Sequence, residues 1–87
     1  MKINLLQKRL CLDMSQKEVA KAAGMPRQQY QKYEQGKRKP RLKQLIRVYA
    51  ALNIPLLIIR QCIMDDYRID FDEANQLLEI FYGKHNK

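Results

Sequence analysis

Residues 16–35 read QKEVAKAAGMPRQQYQKYEQ, and the fold of this chain is decided there. Two helices that cross at roughly 90–120° need a small side chain where they approach and a glycine in the turn between them. Ala20 and Gly24 stand at those two points. The spacing therefore predicts two short helices, from 16 to about 23 and from 26 or 27 to 34, joined by a tight turn. Five apolar side chains are placed to hold the pair together and against its neighbours: Val19, Ala23, Met25, Tyr30 and Tyr33.

Start and stop signals flank this helix pair. Ser15 occupies an N-cap position and Glu18 follows three residues later, which is the spacing of a capping box. The segment 35–41 contains Gly36 and Pro40 but no apolar residue, which indicates a loop. The pair is therefore bounded on both sides.

Helical periodicity also appears before and after this region. Apolar residues recur every three or four positions over 2–12 and over 42–52, which predicts a first and a fourth helix. Pro55 opens a fifth helix through about Met64, and this helix is apolar on nearly every side, which makes it the candidate for a dimer contact. We therefore expect a five-helix domain over residues 1–64.

The remaining residues, 65–87, form an acidic C-terminal extension. Asp70 and Glu73 have the spacing of another capping box, and the apolar periodicity after them predicts a sixth helix that Gly83 can end. The alternation of apolar and polar residues over 67–71 also allows a short strand there. The expected fold is all-α, with this extension as a dimerisation or partner-binding element.

The charge of the chain is divided unevenly. The sequence holds 17 Lys and Arg against 9 Asp and Glu, a formal charge of +8. Residues 1–60 carry 14 basic and 3 acidic side chains, whereas residues 61–87 carry 3 and 6. A strongly basic region indicates a polyanionic partner, so the part that contains the helix pair is expected to contact one.

Catalytic and metal-binding patterns are missing from the sequence. His85 is the single histidine and lies in a polar tail, so neither a zinc site nor a Ser/His/Asp arrangement can be built around it. We expect no enzyme activity, no cofactor and no metal. A nuclease is the weakest alternative, because the basic region holds no paired carboxylates.

The sequence also points to a cytoplasmic protein of a bacterium or of a phage-infected cell. The apolar run 54–59 is too short to span a bilayer, and the N-terminus lacks the apolar region of a secretory signal. Cys11 and Cys62 lie far apart in apolar surroundings, which favours buried, reduced thiols. No membrane partner is expected.

These features together resemble the Xre/Cro family of phage repressor-like helix-turn-helix regulators, over about residues 1–60. The resemblance rests on Ser15-Gln16, residues 18–25, residues 33–40, and the stripe from Leu42 to Leu52 followed by Asn53-Ile54. It implies that the helix over 27–34 is a recognition helix that enters the major groove of duplex DNA. The chain departs from the family pattern in details of packing, at Tyr30, Tyr33, Tyr49 and Pro55.

If Tyr30 and Tyr33 point inward, the opposite face of the recognition helix is polar. Glutamine can pair with adenine, and Arg or Lys with guanine, in the major groove. The resemblance implies base contacts at the matching positions, and a merely solvated face is the alternative. For Gln29 a base contact and a merely solvated side chain are equal alternatives. The expected base-reading residues are Arg27, Gln28, Gln31 and Lys32.

Phosphate contacts are expected beside the recognition helix. The loop over 37–41 is basic and free of acids, and it can follow a DNA backbone, whereas for Lys43 and Arg47 a solvated face is an equal alternative. The resemblance also implies a structural ion pair between Arg9 and Glu34, which turns the acid of this region away from phosphate. The resemblance also implies a phosphate contact at Gln16, at the start of the second helix. The expected phosphate-binding residues are Gln16, Lys37, Arg38, Lys39 and Arg41.

The leading hypothesis is a sequence-specific, repressor-like transcriptional regulator that binds a palindromic double-stranded operator as a homodimer. One helix in one groove makes few contacts, and a domain this small gains stability from a partner chain. The alternative is an antitoxin that binds its own promoter and, through the acidic extension, a toxin; tail charge alone does not separate the two. The expected dimer interface is Leu56, Leu57, Ile59, Ile63 and Phe81.

Overall fold

The structure, a computed structural model, describes residues 3–82. Within this range the chain forms six α-helices and no strand, which confirms the all-α prediction. The helices are α1 (Leu5–Cys11), α2 (Gln16–Ala22), α3 (Arg27–Glu34), α4 (Leu42–Ala51), α5 (Leu56–Tyr67) and α6 (Phe71–Tyr82).

The region between α5 and α6 differs from its prediction. The short strand considered over 67–71 is absent from the described residues, because Tyr67 still belongs to α5 and Asp70 caps α6. The Asp70 Oδ1 atom accepts a hydrogen bond from the Glu73 N–H at 2.8 Å. The fifth helix therefore extends beyond Met64 and ends only at Arg68, which has a left-handed φ of 52°. Gly83, the expected end of α6, lies outside the described residues.

The chain divides into two compact units. The first is Ile3–Ile54, with α1 to α4, and the second begins at Pro55 and contains α5 and α6. Helix α5 thus groups with α6, whereas the sequence pattern predicts a division after residue 64. The assignment of 65–87 as a separate interaction element stays a prediction.

The core of the first unit lies between α2, α3 and α4, with α2 packed against the other two. Val19, Ile46 and Leu52 are fully buried, and burial of one such side chain stabilises the fold by about 1.5–3 kcal/mol. Helix α1 contributes no fully buried residue. The Ser15 capping box is confirmed: Glu18 N–H donates to Ser15 Oγ at 3.0 Å, and Ser15 N–H donates to Glu18 Oε1 at 2.9 Å.

Each of the first four helices ends in the same backbone motif. One residue takes a left-handed φ, and the N–H of the next residue donates to a helix carbonyl five positions back, as in a Schellman motif. This pairing satisfies carbonyls that a helix end otherwise leaves open. The left-handed residues are Asp13 (56°), Gly24 (70°), Gly36 (74°) and Asn53 (56°).

In the second unit, α5 packs against α6. The Arg60 guanidinium lies 4.5 Å from the centre of the Phe71 ring, and its Nη1 donates to Asn75 Oδ1 at 3.3 Å. Ile59 and Ile63 are fully buried, so a partner chain cannot reach these two members of the expected dimer interface. Their burial corrects the picture of α5 as a helix that needs a partner on nearly every side.

The two cysteines have different environments. Both thiols are free, but Cys11 is exposed, so the expectation that it is buried is wrong. It lies at the end of α1, which packs only partly. Cys62 is buried, and burial, with a smaller effect of Asp66, raises the pKa of its thiol.

Candidate nucleic-acid interface

Helix α3 separates its aromatic and its polar side chains. Tyr30 is 0% and Tyr33 5% exposed, so both rings point into the core. Residues four positions apart lie on the same helix face, which pairs Arg27 with Gln31 and Gln28 with Lys32. Arg27, Gln28 and Lys32 are exposed and Gln31 is half-buried. The four expected base-reading residues therefore form one continuous polar face, opposite the two tyrosines.

A basic loop follows α3 directly. Lys37, Arg38, Lys39 and Arg41 are exposed, and no acid occurs between Glu34 and Asp65. The loop leaves α3 through the Gly36 motif, which sets the direction of the chain at that point. Lys43 and Arg47, four residues apart on α4, are exposed as well. The expected phosphate-binding cations thus stand next to the recognition helix in the chain and on the surface.

Arg9 and Glu34 form an ion pair inside the first unit. Arg9 Nε donates to Glu34 Oε2 at 2.8 Å and Arg9 Nη2 to Glu34 Oε1 at 2.9 Å, a two-point contact. Arg9 Nη1 also donates to the Met14 carbonyl at 3.0 Å. The pair joins α1 to the last residue of α3. It also neutralises the only carboxylate on α3.

Gln16 belongs to the same cluster. Its Nε2 donates to Glu34 Oε1 at 3.0 Å, which turns one amide N–H inward. Because a glutamine amide has two N–H groups and an oxygen, this bond does not use its whole capacity. Glu34 therefore holds the side chain of Gln16 in place. The phosphate contact of Gln16 stays a prediction.

The Glu34 carboxylate stays ionised in the folded chain. Burial raises its pKa, but the hydrogen bonds from Arg9, the nearby Tyr30 hydroxyl and the hydrogen bond from Gln16, in that order, outweigh burial and hold the pKa at about 2. The hydrogen bond from Arg9 to Glu34 in turn raises the pKa of Arg9. Both groups are therefore charged at neutral pH.

The Tyr30 hydroxyl lies beside this cluster. Burial raises the pKa of Tyr30, and the neighbouring Glu34 carboxylate raises it further. The hydroxyl is nevertheless outside hydrogen-bond geometry, and among the residues that the structure describes it is the one buried side-chain polar atom with no partner. A buried unsatisfied hydroxyl lowers stability, so the ring of Tyr30 rather than its oxygen holds α3 in place.

An open depression lies where α2 and α3 begin. It measures about 510 Å³ and is lined by Arg9, Ser15, Gln16, Lys17 and Arg27. Three of these five side chains are cations, and the Arg9 charge is already matched by Glu34. A concave cationic surface of this kind can hold a phosphate group. Lys17 was not expected there from sequence, although it follows Gln16 directly.

A hydrogen-bonded chain of side chains connects α3 with α4. Gln29 Nε2 donates to Tyr33 Oη at 2.7 Å, and Tyr33 Oη donates to Gln44 Oε1 at 2.7 Å. Gln29, undecided from sequence, therefore faces Tyr33. Gln44 was not singled out from sequence at all. Its position three residues after Arg41, at the start of a helix, is the signal that identifies it as a capping residue.

Residues 3–82 show neither a metal-binding cluster nor a membrane-spanning helix. No three His, Cys, Asp or Glu side chains in that range are placed to hold a metal ion. None of the helices there is both long and apolar enough to cross a bilayer.

Comparison with known proteins gives one finding. Residues 5–59, well over half of the chain, match the family described as helix-turn-helix. The matched range contains α1 to α4, the polar face of α3 and the basic loop. No match is found among the curated proteins or among the solved structures. The chain therefore belongs to the Xre/Cro-like helix-turn-helix family, which is a family of DNA-binding transcriptional regulators.

Proposed function

We propose that this protein is a repressor-like regulator that reads a specific double-stranded operator with α3 in the major groove. The observation that carries the proposal is the continuous polar face of α3, because the inward Tyr30 and Tyr33 leave only that face free for DNA. A glutamine side chain can pair with two atoms of adenine, and an arginine side chain with two atoms of guanine. Family membership supports DNA as the partner, and the proposed place of action is the cytoplasm of a bacterial or phage-infected cell.

The basic loop has a different role in this proposal. Lys37, Arg38, Lys39 and Arg41 bind phosphates, which gives affinity and orientation but no sequence preference. Gln16 and the depression beside it bind a further phosphate at the opposite, N-terminal end of α3. The ion pair of Arg9 and Glu34 keeps the geometry of α1 and α3 and removes the repulsion that an unpaired carboxylate would exert.

The test is selection of bound duplexes from a random library, followed by affinity measurements on the selected sequence over a series of salt concentrations. We expect one preferred half-site and a logarithm of affinity that falls linearly with the logarithm of salt concentration. Enrichment of no sequence, together with an ordinary salt dependence, would contradict sequence-specific reading by α3.

We also propose that two copies bind a palindrome, with half-sites about 34–36 Å apart, one helical turn of DNA. Leu57, 64% exposed at the start of α5, and the neighbouring exposed Leu56 support a contact between copies. Ile59 and Ile63 support α5 from inside instead. Phe81 is half-buried and adds less free surface.

The dimer is tested by light scattering at micromolar concentration. We expect a dimer for the full chain and a monomer for Leu57→Lys. The matched control is Leu10→Lys, which changes a side chain that is 60% exposed on α1 and is expected to leave the mass unchanged. A wild-type monomer bound to an asymmetric site would contradict the dimer.

The alternative function, an antitoxin, draws support from α6. Its exposed acids Asp72, Glu73 and Glu79 stand with the exposed Ile80, and no Lys or Arg occurs in Phe71–Tyr82. Such a surface suits a basic protein partner. The test is binding of the product of the adjacent gene to the full chain and to Glu79→Lys. Tight binding that the substitution weakens favours the antitoxin, and no binding favours the regulator.

A further inference from the structure

We infer that Tyr33 is a positioning residue that fixes both ends of the basic loop 35–41 to α3. The inference rests on the proposed function, since it concerns how the base-reading side chains of α3 and the phosphate-binding side chains of the loop are held in fixed positions relative to each other. It adds Tyr33, Gln44 and Gln29 to the DNA-binding machinery as supporting residues that do not touch DNA.

The far end of the loop is tied to Tyr33 through Gln44. The Gln44 Oε1 atom accepts two hydrogen bonds, from Tyr33 Oη at 2.7 Å and from the Arg41 N–H at 3.3 Å. The second bond closes the start of α4, where Arg41 is the N-cap residue. One oxygen therefore joins the last residue of the loop to the inner face of α3.

The near end of the loop is tied to the same residue. The Gly36 N–H donates to the Tyr33 carbonyl at 3.1 Å, and the Lys37 N–H donates to the Lys32 carbonyl at 2.9 Å. Tyr33 thus contacts the beginning of the loop through its backbone and the end through its side chain. Between these two points stand Arg38 and Lys39, both exposed.

A tyrosine is required for the second of these links. Its hydroxyl accepts from Gln29 and donates to Gln44 at the same time, which a phenolic oxygen can do and a phenylalanine ring cannot. Both distances, 2.7 Å, are typical of good hydrogen bonds. Because the ring is 5% exposed, packing holds the hydroxyl where Gln44 needs it.

The first experiment needs no DNA. Amide hydrogen exchange of the full chain is measured by NMR for wild type, Tyr33→Phe and Gln44→Met, with the Arg41 N–H as reporter. We expect its exchange to be faster by about two- to tenfold in both variants, the factor that corresponds to the loss of one ordinary hydrogen bond. Tyr30→Phe is the matched control, since it removes a buried hydroxyl on the same helix that makes no hydrogen bond, and it is expected to leave Arg41 unchanged.

The second experiment asks whether the link acts in binding. Affinity for the selected duplex is measured over a salt series for wild type, Tyr33→Phe, Arg38→Ala and the double variant. We expect Tyr33→Phe to weaken binding about fivefold and to flatten the salt dependence. We also expect Arg38→Ala to cost less in the Tyr33→Phe background than in wild type. In contrast, Gln28→Ala changes a base-reading residue. Its fold-loss of affinity and that of Tyr33→Phe are expected to multiply when the two substitutions are combined.

The outcomes separate this inference from the proposed function. Unchanged Arg41 exchange in both Tyr33→Phe and Gln44→Met overturns the link, even if DNA binds well. Faster exchange with an unchanged cost of Arg38→Ala overturns the positioning role. If Tyr33→Phe does not fold, Gln44→Met decides both points. If wild type binds no duplex, the proposed function fails, and the exchange data still decide whether Tyr33 holds the loop.

Discussion

The two compact units of this chain use their surfaces in opposite ways. Among the described residues, Ile3–Ile54 carries 12 basic and 3 acidic side chains, whereas 55–82 carries 2 and 6. The second unit is about half as long, yet it holds four of the six large apolar side chains that are exposed. The first unit thus presents charge and hydrogen-bonding groups, and the second presents acids around apolar side chains. This difference favours DNA as the partner of the first unit and protein as the partner of the second.

The units also differ in how their polar side chains are held. In the first, Glu34 accepts three hydrogen bonds and Gln44 two, so these groups have fixed positions. In the second, Arg60 stacks on Phe71 and bonds Asn75, while the acids of α6 are exposed. Groups with fixed positions suit the reading of a rigid duplex, and exposed groups can adapt to a partner.

The largest effect is expected at Glu34. Glu34→Ala leaves the part-buried Arg9 without its carboxylate partner, and the loss of one member of a buried pair, about 3–5 kcal/mol, is the upper limit of the cost. We expect a lower melting temperature, a lower urea midpoint and weaker DNA binding. The matched change in the second unit is Glu79→Ala, an exposed acid, for which we expect a change within about 0.5 kcal/mol. Equal effects of the two substitutions on stability would contradict the difference between the units in how their polar side chains are held.

The stabilisation that Glu34 gives to the first unit is expected to depend on pH. The pKa of Glu34 is about 2 when folded, against an ordinary value of 4.5, so the unfolded chain takes up the proton first as pH falls. The stabilisation is complete above pH 4.5 and disappears toward pH 2, and its upper limit is about 3 kcal/mol. Urea unfolding of wild type and Glu34→Gln at several pH values is the measurement. A difference between the two that does not shrink below pH 4.5 contradicts this assignment.

Within the first unit, base reading and phosphate binding are expected to respond differently. Gln28→Ala relaxes the preference at one base position by about 1–3 kcal/mol. Arg38→Ala weakens binding to all sequences alike and reduces the salt slope by about 1. Both variants are measured on the selected duplex and on single-base variants of it. Identical behaviour of the two variants would contradict the assignment of base reading to α3 and of phosphate binding to the loop.

The smallest effects are expected at the left-handed helix ends. Gly36→Ala meets nothing within 4 Å of the added Cβ, so its cost is backbone strain alone, about 1 kcal/mol. In the second unit the left-handed residue is Arg68, and Arg68→Gly relieves the same strain, with a gain of about 0.5 kcal/mol after the entropy of glycine is counted. Thermal unfolding of both variants tests these two expectations. A higher melting temperature for Gly36→Ala would contradict the assignment of backbone strain at this position.

Much of the first unit could be predicted because its signals are local. The Ser15 capping box, the turn at Gly24 and the loop after Glu34 each depend on residues within a few positions of one another. The inward Tyr30 and Tyr33 follow from helical periodicity, and with them the polar face of α3. The ion pair of Arg9 and Glu34 spans 25 residues, and only the family resemblance pointed to it.

Other features could not be predicted because they depend on neighbours that are distant in sequence. The exposure of Cys11 and the burial of Ile59 and Ile63 are decided by which helix faces find a neighbour, and apolar character alone does not decide this. Nothing local marks the end of α5, since no Pro or Gly occurs between Leu56 and Arg68.

The sequence by itself therefore determined the helix-turn-helix, its caps and the separation of charge, because hydrogen bonds and steric limits within a few residues specify them. Only the tertiary structure decided that Gln16 bonds Glu34, that Gln29 supports Tyr33, and that Gln44 joins the loop to α3. A glutamine side chain is compatible with solvent, with a base edge or with a buried acceptor. Its role is settled only when folding places a specific partner within hydrogen-bond distance.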